Sequence, residues 1–196
     1  MRYEKGHKET TRRRIVETAA ARFRKDGIEG VGLADLMAEA GLTHGGFYSH
    51  FSSKEEIFER VLEDVQEELA ARQMSVPPRS KDPADRIAAG ALRYLLAACE
   101  AGTKQILLID GPAVLGWVKW RELESLYGLG AIRAMLERAV EEGDLAVGQP
   151  VDALAHVLLA AADETALFIA NAPDQHAARD QGVRALNAVL DGLRAT

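Results

Sequence analysis

The sequence predicts an all-α protein. Alanine and leucine dominate its apolar content, strictly alternating runs of β-branched and aromatic residues are missing, and apolar residues recur at three- and four-residue spacings along the chain. With 47% apolar residues in 196, the chain can bury a core, as one large domain or a small module fused to a larger one. It contains no fixed-period repeat and no low-complexity tract.

The first helix is expected over residues 10–25, where Ile15, Ala19 and Phe23 recur every four residues and Val16 and Ala20 widen the stripe. Asp26 and Gly27 end it. A short helix follows over residues 33–40 with Leu33, Leu36 and Met37 on one face, stopped by Gly41. Leu42 is an apolar plug, and Thr43 can cap a third helix over residues 44–51. Ser53 and Glu56 fit a capping box that opens a fourth helix carrying Ile57, Phe58, Val61, Leu62 and Val65. The Pro-containing connector "MSVPPRSKDPAD" comes next, the clearest linker signal in the chain.

Beyond the connector, Ile87, Leu92, Leu95 and Leu96 mark one helix, and Ile106 to Ile109 a short apolar one with a break at Gly111-Pro112. A segment over 117–142 closes at Gly143, and helices over 151–171 and 176–194 are separated at Pro173. In functional terms, residues 1–54 are expected to form one unit and 55–196 the other.

The net charge of −6 argues against general affinity for nucleic acid, but it is unevenly spread. Residues 1–54 carry ten Lys/Arg against seven Asp/Glu; the remainder carries fourteen against twenty-three. An N-terminal unit that can meet phosphate, with Arg12, Arg13 and Arg14 near its start, is joined to an acidic body. Cys99 reads as a core thiol, with a reactive sensor as the alternative, and nothing suggests a disulfide framework. Met1 is followed by Arg, Tyr, Glu and Lys rather than an apolar leader, and no apolar stretch is expected to reach the ~20 residues of a membrane span. The expected location is the cytoplasm, with no membrane partner. The sequence has no G-x-S-x-G, Walker loop or H-E-x-x-H, so neither an enzyme nor a cofactor or metal site is expected.

Gly45 and Gly46 need a reason, because each costs a helix about 1 kcal/mol relative to alanine. A Gly-Gly pair alone is as much a loop signal as a helix signal. Two short helices joined by "AGLT" behind a longer one, however, have the form of a helix-turn-helix, whose second helix enters the major groove of DNA. In that reading the glycines leave the outer face bare for close backbone approach. Phe47 and Phe51 dock inward, and Tyr48 is rotated away from them. Thr43, His44, Ser49 and His50 complete the polar outer surface.

Residues 10–62 resemble the N-terminal domain of the TetR family of transcriptional regulators. Ile15, Ala19, Phe23 and Gly27 match its first helix, and "DLMAEAGLTHGGFYSHFSSKEEIF" its signature. The resemblance implies a homodimeric repressor of operator DNA whose C-terminal domain binds a small effector. It also implies phosphate contacts from Thr43, Tyr48 and Lys54. His44 replaces the common Lys or Arg, Gly46 the common Thr or Ala, and Gly32 the usual hydroxyl cap of the second helix. The alternative class is an all-helical ligand-binding protein or enzyme with a vestigial helix-turn-helix.

In the body, the segment around Trp117, Trp120 and Tyr127 reads either as plain core with one exposed tryptophan or as a cavity wall. On the second reading a mainly apolar effector sits among Leu95, Cys99, Leu108, Leu115, Trp117, Trp120 and Phe168, with a polar contact from Glu164. His156, Asp163 and Glu164 are expected to share a face: a polar interface edge, a solvated face, or a pocket wall supplied by Asp163 or Glu164. Dimerisation, which the resemblance assigns to the last two helices, is expected through Val151, Leu154, Leu158, Ala161, Ala162 and Thr165. Val183, Leu186, Val189, Leu190 and Leu193 supply the facing surface.

Overall fold

The computed structural model describes residues 2–75, 83–143, 145, 148 and 150–193; of residues 2–7, 44, 73–75 and 83–88 it describes the backbone only. Most of the connector therefore lies outside the described residues. Ten α-helices and two π-helical turns are found, and no strand among the described residues.

α1 (Arg2–Asp26) buries Ile15, Val16, Ala19 and Phe23, the four-residue stripe read from the sequence. It ends where Gly27, at φ +67°, donates its N–H to the Phe23 carbonyl. α2 (Leu33–Glu39) is capped by Gly32 without a side-chain bond. It closes in a Schellman motif, Leu42 donating to the Met37 carbonyl and Gly41, at φ +65°, to that of Ala38. α3 is shorter than expected, His44–Tyr48.

α4 (Lys54–Ser75) packs on α1 through Ile57, Phe58, Val61, Leu62 and Val65, all buried; the Phe23 and Phe58 rings lie 5.8 Å apart. Burying each such side chain contributes about 1.5–3 kcal/mol. The capping box is altered. Ser53 Oγ accepts from the Glu56 N–H at 3.1 Å, but the Glu56 carboxylate accepts from the N–H and hydroxyl of Ser52. Those bonds hold the Glu56 carboxyl below its ordinary range.

The body comprises α5 (Pro83–Ala98), α6 (Ala101–Lys104), a π turn (Gln105–Asp110), α7 (Gly111–Glu124), a second π turn (Ser125–Leu129) and α8 (Gly130–Glu141). α9 (Val151–Asn171) and α10 (Gln175–Asp191) complete it, α10 capped by Asp174, which accepts from the N–H groups of His176 and Ala177. The helix does not break at Gly111-Pro112 as expected. It runs on through the π turn, and the kink falls at Gly116, φ +75° and ψ 159°.

A 21-residue apolar helix does exist, contrary to expectation: α9 contains a window with a mean hydropathy of 1.6 and is long and apolar enough to cross a membrane by length and composition. It is the central helix of the body, packed on α5, α8 and α10 through Ala155, Leu158, Leu159, Ala162, Ala166 and Ile169.

The expected dimer stripe divides. Leu158, Ala162, Leu186 and Leu190 are buried within the protomer, because α9 and α10 must first satisfy their own core. The large apolar residues left outward on these helices are Val157, Phe168 and Val189.

The N-terminal unit is fixed firmly to the body. Asp110 Oδ2 accepts from the Ile28 N–H at 2.9 Å in a buried position, and Gln105 Nε2 donates to Asp110 Oδ1 at 2.8 Å. α4 is held from the other side by Lys119 on Glu59 and by the Tyr127 hydroxyl on Glu67.

Candidate DNA-binding face and the buried polar cluster

Phe47 and Phe51 are each 1% exposed, so the inner face of α3 is as the sequence predicts. On the outer face, Tyr48 is 48% exposed and stands edge-on to the Phe47 ring. Thr43 Oγ1 caps α3 by accepting from the Gly46 N–H at 3.2 Å, which leaves its own proton for an external acceptor. Ser49 is exposed and donates to the Gly46 carbonyl at 2.7 Å, while the side chain of His44 lies outside the described residues.

The two glycines differ. A Cβ built on Gly46 would lie 3.3 Å from Thr43 Oγ1, so the cap itself favours glycine there. A Cβ on Gly45 meets nothing within 4 Å, and Gly45 is not among the positive-φ glycines. Nothing inside the protomer repays the helix cost of Gly45, so the bare backbone is available to something outside it.

Two basic residues do more inside the protomer than expected. Lys54 Nζ donates to the carbonyls of Ile28 (2.8 Å) and Val31 (3.1 Å), leaving one N–H of three. Arg12 Nη1 donates to the His50 carbonyl, and its guanidinium stacks 4.0 Å over the Phe51 ring and 3.9 Å from Glu56. Arg12 thus braces the end of α3 against α4. Arg13 and Arg14 remain exposed.

The eight residues expected to line an effector pocket do not gather round one cavity. Leu95, Leu108 and Trp120 are core; Leu115 and Cys99 are half-buried, with Cys99 Sγ 3.8 Å from the Ala166 carbonyl. Burial pushes the Cys99 thiol pKa up, which keeps it protonated. Trp117 (61% exposed), Phe168 and Glu164 face outward. Nor do His156, Asp163 and Glu164 share an environment. One helical step of about 100° separates exposed Glu164 from buried Asp163, and His156 is exposed.

Instead the body holds a buried polar cluster. The Tyr94 hydroxyl donates to Asp163 Oδ1 at 2.7 Å. Arg121 Nη1 donates to Glu124 Oε2 at 2.7 Å and lies 3.6 Å from Asp163 Oδ2. The guanidinium also stands 4.8 Å from both the Trp117 and the Trp120 ring. Removal from water raises the Glu124 carboxyl to about 8 and that of Asp163 to about 6. The same burial drives the Tyr94 phenol well above its ordinary value. Glu124 Oε1 and Asp163 Oδ2 are buried without a hydrogen-bond partner. Tyr94 also lines an apolar crevice of about 30 Å³, with Gly128, Ile132, Met135, Leu158 and Leu159. Of this cluster, the sequence marks Asp163 alone. The Arg121/Glu124 pair, three residues apart in an apolar aromatic segment, was the available signal for the rest. Among the described residues no group of His, Cys, Asp and Glu could hold a metal.

Residues 84–193 match the family model described as tetracyclin repressor-like, C-terminal domain, and residues 4–61 match that of bacterial regulatory proteins, tetR family. The uncharacterized HTH-type transcriptional regulator YfiR of Bacillus subtilis is 28% identical over 166 residues, 79% of this chain and 78% of that protein. The A-factor receptor protein of Streptomyces griseus is 30% identical over 135 residues, 69% of this chain but 46% of its own length. A TetR-family transcriptional regulator from Pectobacterium atrosepticum superposes with a TM-score of 0.82 at 27% identity, covering 97% of both chains.

Proposed function

Because the chain belongs to the TetR family of transcriptional regulators, we propose that it is a cytoplasmic homodimeric repressor, released from operator DNA by a small effector bound in its body. Gly45 carries the DNA part of this reading: a residue that weakens α3 and serves no packing need suits only close approach to a surface outside the protomer. Around it Thr43, Tyr48 and the remaining donor of Lys54 meet phosphates, and His44, Gly46, Ser49 and His50 complete the groove-facing surface. Residues 1–54 form the reader and residues 55–196 the effector-binding and dimerising body, α4 lying across the division. No catalytic role is assigned to any residue.

Repression is supported by the repressor-like description of the matched C-terminal family. Effector control is supported by the name of the Streptomyces griseus relative, a receptor for A-factor. The effector site is assigned to the Tyr94 crevice and its polar cluster. Dimerisation is assigned to the outward faces of α9 and α10, where Val157 and Phe168 are eleven residues apart, three helical turns, on one side of α9. Fluorescence anisotropy with the DNA upstream of the chain's own coding sequence tests the reading. Binding that weakens steeply with salt and saturates at two protomers per site is expected. Absence of binding at low salt would favour a ligand-binding protein with a vestigial helix-turn-helix.

A further inference from the structure

The buried cluster sets two carboxyl groups against one arginine, and the protomer supplies too few donors for their oxygens. Arg121 Nη1 lies 2.7 Å from Glu124 and 3.6 Å from Asp163, so both acids converge on a single nitrogen. Tyr94 satisfies Asp163 Oδ1, and no donor reaches Glu124 Oε1 or Asp163 Oδ2. The Glu124 side chain is 1% exposed and that of Asp163 8%. Buried acceptors without donors are costly, and a ligand that supplies donors removes the penalty. An anion would be repelled by the two acids. A neutral alcohol offers a single proton to two acceptors. A cation with several N–H groups matches both the charge and the missing donors.

We propose that the effector is an amphiphilic amine, whose protonated nitrogen binds Glu124 and Asp163 while its apolar body enlarges and fills the crevice beyond Tyr94. The proposal rests on the reading of this crevice as the effector site. The crevice walls are Ile132, Met135, Leu158 and Leu159, with flexible Met135 and side-chain-free Gly128 able to yield. The charged and titratable groups facing Glu124 are Arg121, Asp163, and Tyr94 beyond it, which stays neutral. With its carboxyl raised to about 8, Glu124 holds a proton at neutral pH, and an incoming ammonium displaces it. Amine affinity therefore increases as pH rises towards 8.

The site also has a mechanical route to the reader. Glu124 is the last residue of α7, and Gly128 belongs to the π turn that follows. Lys119 and Tyr127, on the same two elements, hold Glu59 and Glu67 of α4. Movement of α7 to admit the amine would act directly on α4, whose first residue is Lys54.

The test is titration of the full chain with straight-chain amines from butylamine to octylamine, beside alcohols and carboxylates of equal length, read by thermal midpoint and by release of upstream DNA. Amines alone should raise the midpoint and release DNA. Glu124→Gln and Asp163→Asn should each weaken the amine effect by roughly tenfold or more. Midpoints of the two variants without ligand confirm folding, and either folded variant suffices. Alcohols or carboxylates acting as well as amines would overturn the choice of an amine while leaving the effector site standing. Undiminished amine binding in a folded variant would remove the carboxylates from the site. No response to any of the three series would overturn both the amine and the crevice as effector site.

Discussion

Lys54 illustrates how one side chain serves two structures. Its ammonium joins the first turn of α4 to the Ile28 and Val31 carbonyls, so Lys54→Ala should lower stability by about 1–2 kcal/mol in urea unfolding. The same variant should weaken DNA binding and reduce the salt slope by about 1. A stability loss with an unchanged slope would confine the residue to the brace. Glu124 makes a prediction of a different kind. Its folded carboxyl titrates near 8 against an ordinary 4.5, so the folded state binds more protons than the unfolded chain between those values. Its contribution to stability is full below about pH 4.5 and is lost as pH rises through 8. Glu124→Gln should flatten that fall and unfold at a higher temperature than the parent at pH 8–9; a parallel pH profile would contradict the assignment. The sequence made Phe47, Phe51, Thr43 and Tyr48 legible because helical spacing alone decides which way they face. It left Tyr94, Glu124 and Arg121 unread because their meeting with Asp163 is tertiary and leaves no periodic trace.

The C-terminal ends of helices were legible to within a residue or two wherever an apolar stripe met a stop signal, as at Gly27, Gly41 and Gly143, whereas α1 begins eight residues before the expected start and the 117–142 segment divides at a π turn. The π turns were not legible, and Pro112 misled for a physical reason. Gly111 donates to the Ile106 carbonyl, five residues back, and the next bond of that series would join residue 112 to the Leu107 carbonyl. Pro112 has no N–H, and the Trp120 indole supplies the missing donor at 2.8 Å. A distant side chain thus repairs the break that the proline would otherwise make. Gly111 is bound into the same arrangement, since a Cβ there would lie 2.7 Å from the indole ring. Trp120→Ala should destabilise the body by about 3–5 kcal/mol through the cavity and the orphaned carbonyl together, measured by urea unfolding. A loss under 1 kcal/mol would show that the indole is not the plug of this turn. At the α9–α10 contact, Gly182 permits close approach, because a Cβ would lie 2.7 Å from Thr165 Cγ2. Gly182→Leu should part the two helices and lower the thermal midpoint by several degrees; an unchanged midpoint would show that the contact can yield.

For the whole molecule, repression needs two reading helices about 34–36 Å apart, which a dimer must set. Leu186 lies in the protomer core, so its substitution would report unfolding rather than dissociation. Val157→Glu with Val189→Glu addresses the outward face and should give folded monomers in light scattering; a persistent dimer would place the interface elsewhere. Sequence periodicity identified α9 and α10 as apolar but could not separate the stripe facing the protomer from the stripe facing a partner, since both follow the same 3.6-residue repeat. The central claim is that α3 lays bare backbone against DNA, and Gly45→Leu tests it most directly. A Cβ at Gly45 meets no atom within 4 Å and leucine removes the helix cost of glycine, so the thermal midpoint should hold or rise by a few degrees. Anisotropy on the upstream DNA should show affinity reduced by roughly a hundredfold, about 2.7 kcal/mol. Full affinity in a normally folded Gly45→Leu protein would contradict the account.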